Sequence, residues 1–245
     1  RIALLVPMTG ENSAAGQSIA NAATMALLDT NADNLRITTY DTGRNAGEAA
    51  RRALADGNGL ILGPLLSSDV PAVSQVARPA GVPLISFSND QQAAARDVFI
   101  IGNLPGQSIA RSVGHARRQG ASRFAGLVPQ GDYGERASAA LTAAVRREGG
   151  TLVAIETFDR GNTSVTSAAA RLRERGNYDA VLIADSGRIA ALAAPLLRTG
   201  GEAARPRILG TELWAGERGA SDSPALHGAW FATVSDARFG QFSES

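Results

Sequence analysis

Short apolar runs alternate with segments of helical period along the whole chain. The first apolar run, Ile2–Val6, is followed by a glycine-bounded loop and by a helix predicted near Gln17–Asp29. Further strands are predicted at Leu35–Tyr40, Leu60–Leu62, Pro83–Phe87, Val98–Gly102, Phe124–Val128, Leu152–Thr157, Ala180–Ala184, Arg207–Leu209 and Ala229–Thr233. Continuous apolar strands joined by helices are typical of parallel sheets covered on both faces, so the pattern predicts an α/β fold.

The strands fall into two series, which predicts two lobes. A single sheet of about ten strands would approach the limit for a twisted open sheet. We place the crossing near Leu104-Pro105, so that residues 1–104 form the first lobe and residues 105–233 the second. Residues 234–245 are predicted to return to the first lobe.

Polar turns follow two neighbouring strands of the first lobe. Ser67, Ser68 and Asp69 come after Leu60–Leu62, and the run Pro83–Phe87 ends among Ser86, Ser88 and Asn89. Ligands bind at the carboxyl ends of strands in parallel sheets, and small hydroxyl and amide groups suit such a site. Each turn is also what an ordinary helix cap looks like, with Ser68 or Asp69 capping the following helix. Two such turns side by side favour a cleft.

Composition excludes several classes of chemistry. The net charge of +1 gives no electrostatic case for nucleic acid or an anionic membrane. The chain has no Lys and no Cys, which rules out a Schiff base, a lysine phosphate loop and a thiol nucleophile. His115 and His227 stand alone without metal-ligand spacing, and the dinucleotide and hydrolase glycine motifs are missing. We therefore predict no enzyme activity, no cofactor and no metal.

The sequence also bears on location. No apolar run approaches the length of a membrane span. The chain starts directly in a strand at Arg1-Ile2, so we expect that any signal peptide or lipid anchor has been removed.

Six segments in order resemble one known family. They are IALLVPMTGENSAAGQSIANAATMALLD, YDTGRNAGEAARRAL, GPLLSSDVPAVSQVARPAGVPLISFSND, VPQGDYGERASAAL, YDAVLIADSG and ILGTELW. The chain resembles the type I periplasmic binding proteins, in particular the leucine/isoleucine/valine-binding branch of ABC-transporter substrate-binding proteins. The versions GPLLSSDV and ISFSND are similar to a lipoprotein branch related to the penicillin-binding-protein activators, which regulate peptidoglycan synthases.

The resemblance implies a fold of two Rossmann-like lobes with parallel sheets and a hinge. Chains of this family normally continue with helices that pack back on the first lobe. Because this sequence stops at Ser245, the expectation is that the C-terminal part of the first lobe is missing.

The resemblance also implies a ligand site. In the amino-acid branch, hydroxyls and backbone N–H groups of the first lobe hold the ligand carboxylate, while an aromatic ring and an acid of the second lobe hold the ammonium. Asp90 departs from this logic, because its charge would repel a carboxylate. Trp214, after the matching acid, is expected to line the mouth of the cleft. By motif position the ligand-binding residues are Ser67, Ser68, Ser86, Ser88, Asn89, Asp90, Tyr133, Asp185 and Glu212.

The function implied is a non-enzymatic periplasmic receptor that binds a small amino-acid-like ligand for ABC import or sensing, with an ABC permease as partner. The alternative is an envelope lipoprotein of the activator type, whose partner is a peptidoglycan synthase. Both readings imply a periplasmic protein, lipid-anchored or free. Ala15 and the loop at Gly187 stand where amino-acid binders carry aromatics, so a small polar ligand, or no small ligand at all, is favoured over a leucine-like one.

Overall fold

The computed structural model describes residues 1–161, 163–198, 205–215, 217 and 223–233. The chain separates between Leu104 and Pro105 into two compact units. Each unit carries its own parallel sheet, which confirms the α/β fold predicted from the apolar runs. The predicted return of residues 234–245 to the first lobe lies outside the described residues.

The first unit is a five-stranded parallel sheet with the order β2-β1-β3-β4-β5. Its core combines apolar strand residues with alanines of the second helix, of which Ala49, Ala50 and Ala53 are fully buried because their small side chains let the helix approach the sheet closely. The strands are β1 (Ile2–Val6), β2 (Ile37–Asp41), β3 (Leu60–Leu62), β4 (Leu84–Ser86) and β5 (Val98–Ile100), and the helices are α1 (Ser13–Thr30), α2 (Ala46–Ala55) and α3 (Val70–Ala77).

The second unit is a four-stranded parallel sheet with the order β7-β6-β8-β9. Both of its faces are covered, one by a cluster around Leu172 and Phe158 and the other by a cluster around Leu141 and Phe124. The strands are β6 (Arg123–Pro129), β7 (Thr151–Phe158), β8 (Ala180–Ile183) and β9 (Arg207–Leu209), and the helices are α4 (Pro105–Arg118), α5 (Asp132–Arg147), α6 (Ser164–Arg175) and α7 (Gly187–Leu197).

The last predicted strand, Ala229–Thr233, does not form. Only Trp230 pairs with the sheet, through an isolated parallel bridge to Leu209. Its N–H donates to Ile208 O and its carbonyl accepts from Gly210 N–H, so one residue uses both of its backbone groups against β9. The next residue, Phe231, is exposed, and the apolar run therefore ends in contact with the sheet instead of extending it.

In each unit a glycine of the helix that follows the first strand packs directly on the chain at the end of that strand. A Cβ atom on Gly16 of α1 would lie 1.8 Å from Pro7 O, and one on Gly134 of α5 would lie 1.6 Å from Pro129 O. Real Cβ atoms do not approach an oxygen so closely, so only glycine fits. This packing brings the beginning of each helix to the carboxyl end of its strand.

Asp41 fixes the loop that follows β1. Its carboxylate accepts hydrogen bonds from Met8 N–H at 2.7 Å, Thr9 Oγ1 at 2.8 Å and Gly43 N–H at 2.8 Å. Burial alone would raise the pKa of this carboxyl, but the hydrogen bonds outweigh burial and hold the pKa below its ordinary value. The folded state therefore binds the proton less tightly than the unfolded state does.

We expect Asp41→Asn to lower the free energy of unfolding at pH 7 by about 1–3 kcal/mol, since hydrogen bonds to a charged group are lost. The contribution of Asp41 is present above the unfolded pKa and disappears as the pH falls through the lower folded pKa, so the deficit should shrink in acid. Urea unfolding at several pH values measures this deficit in the free energy of unfolding. The exposed Asp33, which has no contact among the described residues, provides the control Asp33→Asn; an equal effect of both substitutions would contradict this account.

Candidate functional site

The carboxyl ends of all four strands of the second unit carry charged or polar side chains that contact one another. They are Tyr133 after β6, Arg160 after β7, Asp185 after β8 and Glu212 after β9. The sequence predicted three of these four residues, and the structure connects those three through shared contacts. The carboxyl end of a parallel sheet is where ligands bind, so this cluster is the strongest candidate site in the described part of the chain.

Glu212 lies half-buried among hydroxyl groups. Ser108 Oγ donates to Glu212 Oε2, and Tyr133 Oη lies 3.1 Å from Glu212 Oε1. Thr211 Oγ1 lies 3.2 Å from the same tyrosine oxygen. Because an ionised carboxylate only accepts, the Tyr133 proton points to Glu212 and the Thr211 hydroxyl donates to Tyr133. The carboxylate has two hydroxyl donors and, among the described residues, no cationic partner.

Tyr133 remains a hydrogen-bond donor over the whole ordinary pH range. Burial raises the pKa of its hydroxyl well above the ordinary value, and the negative charge of Glu212 adds to the increase. The hydrogen bond with Thr211 and the charge of Arg160 act in the opposite direction and are outweighed. The phenol is therefore suited to hold a carboxylate and is not suited to act as a base.

Trp214 holds the turn that carries Glu212 in place. The indole N–H donates to Asp185 O at 2.8 Å, and the ring packs so closely on Gly210 that a Cβ there would lie 2.4 Å from it. Thr211 Oγ1 accepts from Leu213 N–H at 3.4 Å and so begins the turn. The prediction that Trp214 lines the mouth of a cleft is wrong, because this side chain is buried in the core.

Asp185 is already paired. Its Oδ2 lies 2.6 Å from Arg160 Nε, and its Oδ1 accepts from Ser186 N–H at 2.7 Å. The Asp185 side chain is 7% exposed whereas that of Arg160 is 48% exposed. This pairing speaks against the prediction that Asp185 contributes to an ammonium site, since the guanidinium already satisfies its charge. Ser186, not Asp185, caps α7, by accepting from Ile189 N–H.

Arg160 and Ser108 are site residues that the sequence reasoning missed. The Arg160 guanidinium carbon lies 5.5 Å from the centre of the Tyr133 ring, within the range of a cation–π contact. Its position three residues after Thr157, the end of a predicted strand, was the signal that could have revealed it. Ser108 lies inside α4 and comes from far away in the sequence, so nothing in its local pattern marks it.

The predicted polar residues of the first unit fall into two groups. Ser67 and Ser68 belong to a single turn, Ser67–Asp69, that precedes α3, and their hydroxyls have no partner among the described residues. Ser86 and Ser88 are buried, and Asp90 lies half-buried beyond them.

Ser86 stabilises its own loop through hydrogen bonds. Its hydroxyl donates to Pro64 O at 2.7 Å and accepts from Ser88 N–H at 3.1 Å. With the side chain fully buried, this geometry argues against the predicted ligand contact. Ser88 accepts from Asp90 N–H at 3.0 Å and retains its own proton for donation, so it stays a candidate. Asn89 has contacts of its own and lies half-buried beside it.

The predicted capping of α3 is wrong. Neither Ser68 nor Asp69 accepts a hydrogen bond at the helix start, because the Ser67–Asp69 turn runs straight into the helix and Val70 N–H bonds to Ser67 O. Burial raises the pKa of the Asp69 carboxyl. Only glycine fits at position 63, because a Cβ there would lie 2.1 Å from Leu5 O of the neighbouring strand β1.

The described residues hold neither a metal cluster nor a membrane-spanning helix. No group of three or more His, Cys, Asp or Glu side chains that could hold a metal ion occurs among them. None of the described helices has the length and apolar character needed to cross a membrane.

A sequence model of periplasmic binding proteins matches residues 1–235. The chain belongs to the periplasmic binding protein family. One curated relative, an uncharacterized protein of Rickettsia prowazekii, is 24% identical over 169 residues. That match covers 68% of this chain and only 45% of the relative, so the chain corresponds to less than half of that protein's length.

Solved structures of the same fold include a substrate-binding protein of an ABC transporter, a leucine-binding protein and LpoA. An ABC transporter substrate-binding protein of Sphaerobacter thermophilus superimposes with a TM-score of 0.70 and 19% identity over 87% of this chain and 62% of its own. The leucine-binding protein of Thermotoga maritima gives 0.61 and 20%, covering 92% and 65%. LpoA of Haemophilus influenzae gives 0.64 and 18%, covering 87% and 38%. At these identities the likeness shows the fold and no more.

Proposed function

We propose that this periplasmic binding protein is a non-enzymatic receptor for a small polar ligand that carries an ammonium group, an amino acid or a similar molecule, used for ABC import or sensing. The observation that supports it is the state of Glu212. Its carboxylate is half-buried, is held by the hydroxyls of Ser108 and Tyr133, and has no cationic partner among the described residues. A carboxylate in this position has acceptor capacity left for a cation.

The remaining acceptor capacity of Glu212 suits an ammonium. Each carboxylate oxygen has two lone-pair positions, and one hydroxyl donor on each leaves room for a second donor. An ammonium carries three donors and forms strong charge-assisted hydrogen bonds with such a group. Because Arg160 lies over the Tyr133 ring, the ammonium contact runs through the carboxylate and not over that ring face.

The first-unit residues Ser67, Ser68, Ser88 and Asn89 stay a prediction for the ligand carboxylate. The spare hydroxyls of Ser67 and Ser68 and the spare proton of Ser88 support it. Asp90 accepts from Gln92 N–H at 3.0 Å, so its carboxylate caps the turn that follows. This engagement reduces, without removing, the repulsion that its charge would exert on an anion.

Family membership supports the remaining parts of the proposal. Periplasmic binding proteins work outside the cytoplasm, so we place this protein in the periplasm with an ABC permease as its partner. The described side chains around Glu212 are hydroxyls and charges, with Tyr133 as the ring whose hydroxyl contacts its carboxylate. Such surroundings favour a small polar ligand over a leucine-like side chain.

A second candidate function is regulation of peptidoglycan synthesis through protein contacts with a synthase. The fold likeness to LpoA favours it, together with the GPLLSSDV and ISFSND segments. The two functions differ in whether a small ligand binds, and a single experiment separates them.

That experiment is a thermal-shift and calorimetric screen of the full chain with amino acids, small peptides and cell-wall fragments. A ligand at 100 times its dissociation constant should stabilise the protein by about 2.7 kcal/mol. Glu212→Gln should weaken binding by at least about 30-fold, since truncating one partner of a desolvated charge pair costs 2–5 kcal/mol or more. The matched control is Glu135→Gln, an exposed acid of α5. A screen without any hit would reject the receptor and leave the regulator.

A further inference from the structure

Arg160 uses only part of its hydrogen-bonding capacity. A guanidinium has five N–H donors, and the Nε donor is taken by Asp185 at 2.6 Å. The two terminal nitrogens, Nη1 and Nη2, have no partner among the described residues, and about half of the side chain is exposed. These two nitrogens form the end of the guanidinium fork that matches the two oxygens of a carboxylate.

The guanidinium is held firmly although it is exposed. Asp185 is nearly fully buried and is itself fixed by Ser186 N–H, while Trp214 holds the adjoining backbone carbonyl. Tyr133 lies beneath the guanidinium face at 5.5 Å. An arginine positioned in this way loses little side-chain freedom when it binds a second anion, which is a requirement for a selective contact.

The charges of the site are separated by one tyrosine side chain. At the hydroxyl end of Tyr133 lies Glu212, a carboxylate without a cationic partner among the described residues. Over the ring lies Arg160, a cation whose pairing with Asp185 leaves its two terminal nitrogens open. A ligand that satisfies both groups must carry a positive and a negative group within the length of a small molecule.

We propose that Arg160 is a specificity-determining residue that binds a side-chain carboxylate of the ligand, so that the preferred ligand is an acidic amino acid. This inference rests on the proposed function, in which Glu212 takes the ammonium. To that function the inference adds a second ligand contact on the same unit, and it names the class of ligand. Aspartate and glutamate carry the required groups, and their amides are isosteric controls that lack only the negative charge of the side chain.

The test compares glutamate with glutamine and aspartate with asparagine by isothermal titration calorimetry on the full chain. The wild type should bind each acid at least about 10-fold more tightly than its amide, because a charge-assisted fork contact is about twice as strong as a neutral one. Arg160→Gln should remove this preference and leave amide binding within a few-fold. Arg160→Lys should keep part of it, since the charge remains and the fork is lost.

Two further variants keep the result interpretable. Arg160→Gln leaves a buried carboxylate unpaired, so Arg160→Gln/Asp185→Asn supplies a neutral pair in case the single variant fails to fold. Arg146→Gln, on the exposed side of α5, is the matched control and should retain the acid preference. A purely structural role of Arg160 would lower the affinity for acid and amide alike and would leave their ratio unchanged.

The outcomes separate the two proposals. Tight, Glu212-dependent binding of neutral amino acids without an acid preference would overturn the inference about Arg160 and leave the receptor function standing. An acid preference that survives in Arg160→Gln would overturn it as well. If neither acids nor amides bind, the inference about Arg160 fails, and the broader ligand screen decides the receptor function separately. If the preference is present in the wild type and is lost only in the Arg160 variants, the assignment holds.

Discussion

Gly134→Ala is expected to lower the free energy of unfolding of the second unit by at least about 3 kcal/mol, at the upper end of what overpacking usually costs. The added Cβ would lie 1.6 Å from Pro129 O, a backbone atom that cannot rotate away. Helix α5 would have to shift from the sheet, and Tyr133 would shift with it. Urea unfolding followed by tryptophan fluorescence measures the effect, because both tryptophans, Trp214 and Trp230, lie in this unit.

The matched control is Gly106→Ala in helix α4 of the same unit. The nearest atom to a Cβ at Gly106 is Ala140 Cβ at 3.9 Å, an ordinary contact. Alanine in a compatible helical position stabilises by about 0.4–1 kcal/mol through the unfolded state. The two substitutions should therefore move the midpoint in opposite directions. A Gly134→Ala midpoint equal to that of the wild type would show that α5 does not pack on β6 as described.

Trp214→Ala should lower the free energy of unfolding by about 3–5 kcal/mol, as expected for truncating a buried tryptophan. The ring fills the core beside Gly210, and its N–H is the donor to Asp185 O. Far-UV circular dichroism against urea measures the loss without depending on the missing fluorophore. Because Trp214 holds the turn of Glu212, the same variant should also bind any ligand of the site more weakly.

Two substitutions divide the Trp214 effect into its parts. Trp214→Phe keeps most of the apolar volume and removes the N–H, so its cost should be smaller, about 1–3 kcal/mol for the carbonyl left unpaired and the volume lost. Phe231→Ala removes an exposed ring that lies 5.8 Å from Trp214 and should cost less still. If Phe231→Ala proved as damaging as Trp214→Ala, the assignment of Trp214 to the core would be untenable.

Local patterns were enough to predict the elements of the fold. The apolar runs at Ile2–Val6 and Arg207–Leu209 gave those strands without error, because continuous apolar segments with glycine or polar ends have few alternative structures. The run Ala229–Thr233 has the same appearance and does not form a strand. Whether an apolar run pairs over its length depends on the edge it meets, which the local sequence does not contain.

The candidate site was predicted only in part, because some of its contacts join residues that are far apart in the sequence. Tyr133 and Glu212 were predicted from the resemblance by motif position, and both follow a strand within four residues, which agrees with a place at the carboxyl edge of the sheet. Ser108 reaches Glu212 across 104 positions of sequence, from the buried side of a helix, and no local rule signals such a contact. Asp185 was predicted to meet a ligand, but its partner Arg160 lies on another loop and satisfies its charge first.

The direct packing of Gly134 on Pro129 O also bears on the entropy of ligand capture. Tyr133 is the neighbour of that glycine, and with the helix seated on the strand its backbone is as fixed as the sheet itself. Its hydroxyl is further ordered by Thr211 and Glu212 before any ligand arrives. Association with the proposed ligand would then cost little conformational freedom on the protein side, so even the few contacts that a very small molecule can make would leave a favourable binding free energy.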